Sequence, residues 1–199
     1  MLRDLLIYNK YWSGLQKLSD ESYFERLSES QAPEYLWIGC ADSRVPAETL
    51  MGLKPGQLFV HRNVANQIKV DDNNSMSVLQ FAVQGLKVQH IIVCGHTGCG
   101  GVKAAYYGEG DAYLADWLED IRDLAGEHKQ QLSAADEVQN LTALTELNVK
   151  QQVRRIASHP IVQEAWRNGQ KLAIHGWMFV IHEGLINDLQ VSVSGPAEG

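Results

Sequence analysis

The chain has 199 residues, 45% of them hydrophobic, with a formal net charge of -7 and three cysteines. That length suits one domain with a substantial core. The acidic balance leaves no basic footprint for nucleic acid, and no apolar run approaches the roughly 20 residues that span a bilayer. The opening Met1-Leu-Arg-Asp-Leu-Leu-Ile7 lacks the apolar core and cleavage site of a secretory signal, so the cytosol is the expected compartment. An odd cysteine count in a reducing compartment points to metal or catalysis rather than a disulfide framework.

Leu5, Leu6, Trp12, Leu15 and Leu18 recur at helical spacing and predict an amphipathic first helix. Asp20 can cap a second helix through about residue 30, which Pro33 keeps from continuing. The aromatic load on residues 1–33 predicts a helical arm that packs on a partner subunit. Strand one is expected over 34–40, and Pro46 suits the first turn of a short helix over 46–51. After the turn Lys54-Pro-Gly56, residues 58–63 predict strand two. Asp71-Asp-Asn-Asn74 supplies caps for a helix to about residue 88, with Val78, Phe81, Ala82 and Leu86 on its inner face. Strand three is predicted over 90–94. Helices follow over 101–107, 112–127 and 134–158, and His159-Pro160 restarts one that Asn168-Gly169 stops. Strand four is expected over 172–177 and an edge strand over 189–193, where apolar residues alternate; the tail 194–199 should fray. The acidic residues Asp116, Glu119, Asp120 and Asp123 read as a solvated helix face. The pattern is that of an α/β protein: a mostly parallel central sheet of four strands plus an edge strand, flanked by helices, in one domain over residues 1–199.

Two stretches carry chemistry. Cys40-Ala-Asp-Ser-Arg44 begins at the carboxyl end of strand one, and His96-Thr-Gly-Cys-Gly-Gly101 follows strand three. Open α/β sheets place their sites at such strand ends. If the two strands are neighbours, Cys40, His96 and Cys99 converge, leaving a fourth position free as in a zinc site. Cys94, inside strand three, reads as a small buried hydrophobe. The other six histidines have no ligand spacing with a second candidate.

These C-x-D-x-R and H-x-x-C-G-G elements, with Phe59-Val-His-Arg-Asn-Val-Ala-Asn66 and His175-Gly-Trp177, resemble the β class of carbonic anhydrases, in its bacterial form. The resemblance implies one zinc ion per subunit on Cys40, His96 and Cys99, and reversible hydration of carbon dioxide to bicarbonate and a proton by zinc-bound hydroxide. Asp42 and Arg44 match the family's carboxylate–guanidinium pair. Asp42 would either take the fourth zinc position, closing the site, or pair with Arg44, opening it. Two thiolates cancel the ion's formal charge, so the enzyme should favour alkaline pH. Gln31, Phe59, Val64, Phe81 and the Gly100 N–H match the substrate pocket, with Gln31 and Phe59 contributed across a subunit interface, so a homodimer or homotetramer is implied. Trp37 and Arg62 match two residues of a regulatory bicarbonate site. Phe179 stands where its third, a tyrosine, would be. Hydrolysis of carbon disulfide or carbonyl sulfide, a structural zinc in a binding module, and thiol redox chemistry at Cys94 and Cys99 are the competing readings.

Overall fold

The computed structural model describes residues 1–196 in two compact units, the first spanning Met1–Ala32 and the second beginning at Pro33. The predicted frayed tail therefore lies partly outside the described residues.

The first unit holds α1 (Leu2–Ser19) and α2 (Tyr23–Glu29). Trp12 of α1 meets Phe24 of α2 edge-on, ring centroids 5.5 Å apart. Asp20 does not cap α2 as predicted. Its carboxylate takes the Ser22 hydroxyl and the Arg26 guanidinium instead, and the helix starts after Ser22. Leu2, Leu5, Leu6, Tyr8, Tyr11 and Leu18 are all exposed.

The second unit is a five-stranded sheet in the order β2-β1-β3-β4-β5. Strands β1 (Tyr35–Cys40), β2 (Leu58–Asn63), β3 (His90–His96) and β4 (Ala173–Val180) are parallel, and β5 (Leu185–Asp188) pairs antiparallel with β4. The β1 and β3 runs are buried almost throughout, as β-branched central strands should be. One face of the sheet packs its main core, with Leu36, Ile38, Ile91, Val93 and Ile174, beneath α8 (Glu137–Ser158) and α9 (Pro160–Arg167). The other buries Trp37, Ile92, Cys94 and Phe179 with Val45 and Ala47, the latter opening α3 (Ala47–Met51). Among the described residues no helix is long and apolar enough to cross a membrane.

Several predicted boundaries move, each for a local reason. The helix expected to reach residue 88 is α4 (Asn73–Gln80), capped by Asp72, followed by a π turn Phe81–Gly85. There Leu86 N–H bonds to Phe81 O, five residues back, and Lys87 turns left-handed at φ 57°. Its buried residues are Ser75, Leu79, Ala82 and Val83, so Phe81 is turned outward. The helix expected over 112–127 is two, α6 (Tyr113–Trp117) and α7 (Glu119–Glu127). The Trp117 carbonyl accepts from Gln67 Nε2 at 2.8 Å and its indole donates to Val64 O at 2.8 Å. Tertiary partners thus take over where the helix would have continued. Nor is that acidic face wholly solvated, because Asp120 pairs with Arg155 at 2.6 Å. Helix α8 begins three residues later than predicted, at Glu137, where Asp136 caps it. Strands β3 and β4 run further toward their carboxyl ends than expected. The edge strand is Leu185–Asp188, not 189–193: Gln190 has φ 57°, which leaves only an isolated bridge between Val193 and Ile174.

Candidate metal centre

In the order β2-β1-β3, the chain leaves β1 in one direction and reaches β3 on the other side. Such a switch point is where doubly wound sheets leave a crevice at their carboxyl ends. Cys40 is the last residue of β1, His96 the last of β3, and Cys99 stands just before α5 (Gly100–Tyr107). Gly98 makes the intervening turn at φ 66°, a conformation that favours glycine. Gly101 serves a different need: a Cβ there would stand 2.6 Å from Val64 Cγ1, so its absence lets α5 lie against the turn Val64–Asn66.

The three side chains are buried, and their donor atoms lie within 4.8 Å of one another. Two zinc–sulfur bonds of about 2.3 Å at a tetrahedral angle would hold the sulfurs about 3.8 Å apart, and Cys40 Sγ and Cys99 Sγ are 3.9 Å apart. His96 Nδ1 is 3.1 Å from the Thr97 carbonyl, which can only accept, so the proton sits on Nδ1. That leaves the Nε2 lone pair facing the sulfurs, buried and with no hydrogen-bond partner among the described residues. An imidazole oriented by a carbonyl through its other nitrogen is the usual arrangement of a metal ligand. The donor set therefore fits a zinc ion.

Electrostatics agree. The Cys40 thiol is pushed well below its ordinary range, first by the hydrogen bond from Cys99, with the Ala65 and Asp42 N–H groups also helping against burial. Cys99 is pushed up by the same contact and by burial. A bound cation would favour the thiolate form of both sulfurs. Cys94 behaves differently: burial pushes it up to about 12, which suits an inert core thiol.

Beside the donors, Asp42 is gripped by Arg44. Nε reaches Oδ1 at 2.9 Å and Nη2 reaches Oδ2 at 2.7 Å, while the Arg44 backbone N–H also donates to Oδ1. Arg44 Nη2 further touches Gly98 O at 3.3 Å. The Arg44 hydrogen bond holds the Asp42 carboxyl well below the usual carboxylate range. Asp42 Oδ2 lies 3.8 Å from His96 Nε2, at the rim of the donor set.

Of the other predicted residues, Phe59 and Phe81 meet with centroids 5.8 Å apart, and Phe81 and Val64 are exposed. Gly100 opens α5 next to Cys99. Gln31 belongs to the first unit and is exposed. Trp37 is wholly buried and its Nε1 has no partner among the described residues, and Phe179 packs in the same cluster. Arg62 does something the sequence reading did not anticipate. Its Nε donates to Cys40 O at 2.9 Å and its Nη2 to Asp42 O, bracing the loop that carries both. Thr97 was also missed: it takes the Ile181 N–H on its hydroxyl and donates its own N–H to Phe179 O, tying the His96 turn to β4. Polar residues flanking a ligand motif were the available signal. His90 and His175, each read as isolated, lie side by side with Nδ1 and Nε2 3.0 Å apart.

Fold and donor set together define a doubly wound α/β protein with a zinc-type site of the catalytic kind, since three protein donors leave a fourth position open. A family profile described as carbonic anhydrase matches residues 35–186. A carbonic anhydrase of Emericella nidulans is 43% identical over 94% of this chain and 82% of its own length. Among solved structures, one from a study of two tetrameric β-carbonic anhydrases of Sordaria macrospora superposes with a TM-score of 0.92 at 35% identity, covering 97% of this chain and 98% of that one. The Coccomyxa β-carbonic anhydrase in complex with acetazolamide also gives 0.92, at 38% identity, over 98% of this chain and 89% of that one. The chain belongs to the β class of carbonic anhydrases.

Proposed function

We propose that this protein catalyses the reversible hydration of carbon dioxide to bicarbonate and a proton, with one zinc ion held by Cys40, His96 and Cys99. The observation that carries the reading is the convergence of two sulfurs 3.9 Å apart with an unpartnered, buried imidazole nitrogen. When bound, zinc supplies Lewis-acid activation of the water that adds to the substrate. Asp42, kept ionised by Arg44, accepts a hydrogen bond from the nucleophile and turns its lone pair toward the carbon. Released from Arg44, the same carboxylate would close the fourth position, so the pair is read as a gate. Phe59, Val64 and Phe81 form the apolar wall, and the Gly100 N–H anchors a substrate oxygen. Gln31 and Phe59 complete the pocket across a subunit interface.

The exposed apolar residues of α1 support an arm that covers a partner subunit, and a relative described as tetrameric supports a homodimer or homotetramer. Trp37 and Arg62 would hold a second bicarbonate only weakly. Phe179 offers no hydroxyl, and Arg62 already spends donors on two carbonyls. Three free thiols suit a reducing compartment such as the cytosol.

Stopped-flow carbon dioxide hydration across pH, with metal analysis on the same sample, tests the assignment. Zinc near one ion per chain and a rate rising toward alkaline pH are expected. Protein without zinc, or zinc without hydration at alkaline pH, would overturn it.

A further inference from the structure

Away from the metal centre, a cleft of about 540 Å³ is lined by the last turn of α5, by α7 and by the segment after it, including Tyr106, Tyr107, Arg122, Gly126 and Lys129. Three features of its lining are unexplained by this chain. Arg122 is partly buried, its Nε is sealed from solvent, and among the described residues that nitrogen meets no acceptor. A buried guanidinium nitrogen without a partner is unfavourable and rare. The chain carries 24 acidic and 17 basic residues, yet among the described residues no aspartate or glutamate lines the cleft. Some bases of the second unit do find acids, as Lys103 with Glu137, Lys150 with Glu146 and Arg155 with Asp120. Finally, Gly126 lies within α7 without the left-handed φ that would call for glycine, and a Cβ there would meet nothing within 4 Å. Placed four residues after Arg122, it leaves open the space beside the guanidinium.

We propose that this cleft binds a small organic dianion, such as a phosphate monoester or a dicarboxylate. Arg122 holds the oxyanion head through its Nη nitrogens, Nε being sealed by the protein, and Lys129 adds a compact second charge. The carbon part lies over Gly126 and against Tyr106 and Tyr107, which pack edge-on with centroids 5.1 Å apart. The volume falls within the range of about 300–1,000 Å³ typical of small-molecule sites. The cleft is separate from the metal: Cys99 precedes α5 and the cleft adjoins its far end, about 12 Å of helix away.

Calorimetric titration of the zinc-loaded protein with phenyl phosphate and, separately, with malonate tests the proposal. Saturable binding of at least one probe is expected, weakened about tenfold or more by Arg122→Gln and again by Gly126→Leu, which fills the cleft. The preferred probe identifies the head group. Carbon dioxide hydration without added anion stays unchanged in both variants, which separates this site from the metal centre. Equal affinity in all three proteins, or no binding of either probe at about 10 mM, overturns the proposal. So does dissociation of an oligomer by Arg122→Gln in sedimentation, which would make a second copy the occupant.

Discussion

A carboxylate two residues away from a metal ligand can do opposite things, and at Asp42 the neighbours decide which. Arg44 holds both its oxygens, so the carboxylate is ionised and turned from the donor set while still within 3.8 Å of His96 Nε2. Replacing it with asparagine preserves the shape but removes the acceptor charge. Asp42→Asn should retain zinc by metal analysis and lose about 10- to 100-fold in hydration rate, the range found for residues that orient a metal site. Undiminished turnover would remove Asp42 from the mechanism. Arg62 is the counterpart on the backbone side: its guanidinium fixes the carbonyls of Cys40 and Asp42. Arg62→Ala should weaken zinc retention by about 10- to 100-fold against a competing chelator, through positioning alone. Both residues were named from the sequence, but Arg62 for another reason, because a hydrogen bond to a carbonyl leaves no trace in a motif.

Among elements, the contact between α5 and the turn Val64–Asn66 sets where Cys99 stands. The turn is strained, with Ala65 at φ 62° and Asn66 at φ 48°, and is held from outside by Asn148 Nδ2 on Ala65 O and Trp117 Nε1 on Val64 O. Gly101→Ala would press against Val64 Cγ1 at 2.6 Å and Ala65 Cβ at 3.2 Å. A loss of about 1–3 kcal/mol is expected by thermal unfolding. Adding Val64→Ala should recover much of it, since the nearest clash is with that side chain. Failure of the double variant to recover would mean the strained backbone, rather than the side chain, sets the limit.

For the molecule as a whole, stability should fall on the acid side through His61 and His175. Burial lowers the His61 pKa, Asp72 opposing it only in part, and Nε2 accepts from Asn63 Nδ2 at 3.0 Å, a bond that protonation would break. His175 is lowered the same way, by burial first and by His90 second. Unfolded histidine titrates near about 6.5, so below that pH the unfolded chain takes up protons the native state refuses, and stability drops as pH falls. Melting temperatures of wild type and His61→Gln between pH 8 and pH 5.5 check this. The variant should lose less than the wild type, and parallel losses would exclude His61 as a source.

The sequence alone determined the donors and the strand ends they occupy, because ligand spacing, flanking glycines and apolar runs are local properties of the chain. It also specified parallel strands joined by helices, through alternating periodicity. What only the tertiary structure decided was order and environment. The adjacency of β1 and β3 brings Cys40 within 3.9 Å of a sulfur 59 residues away. The break at Trp117 comes from partners on another element, and the π turn that follows Gln80, with Phe81 exposed at its start, left no mark in the apolar spacing. The unpartnered Arg122 is likewise invisible to spacing, since what defines it is a missing acceptor in three dimensions. Local patterns encode which residues can do chemistry, whereas burial and pairing depend on chain segments that meet only on folding.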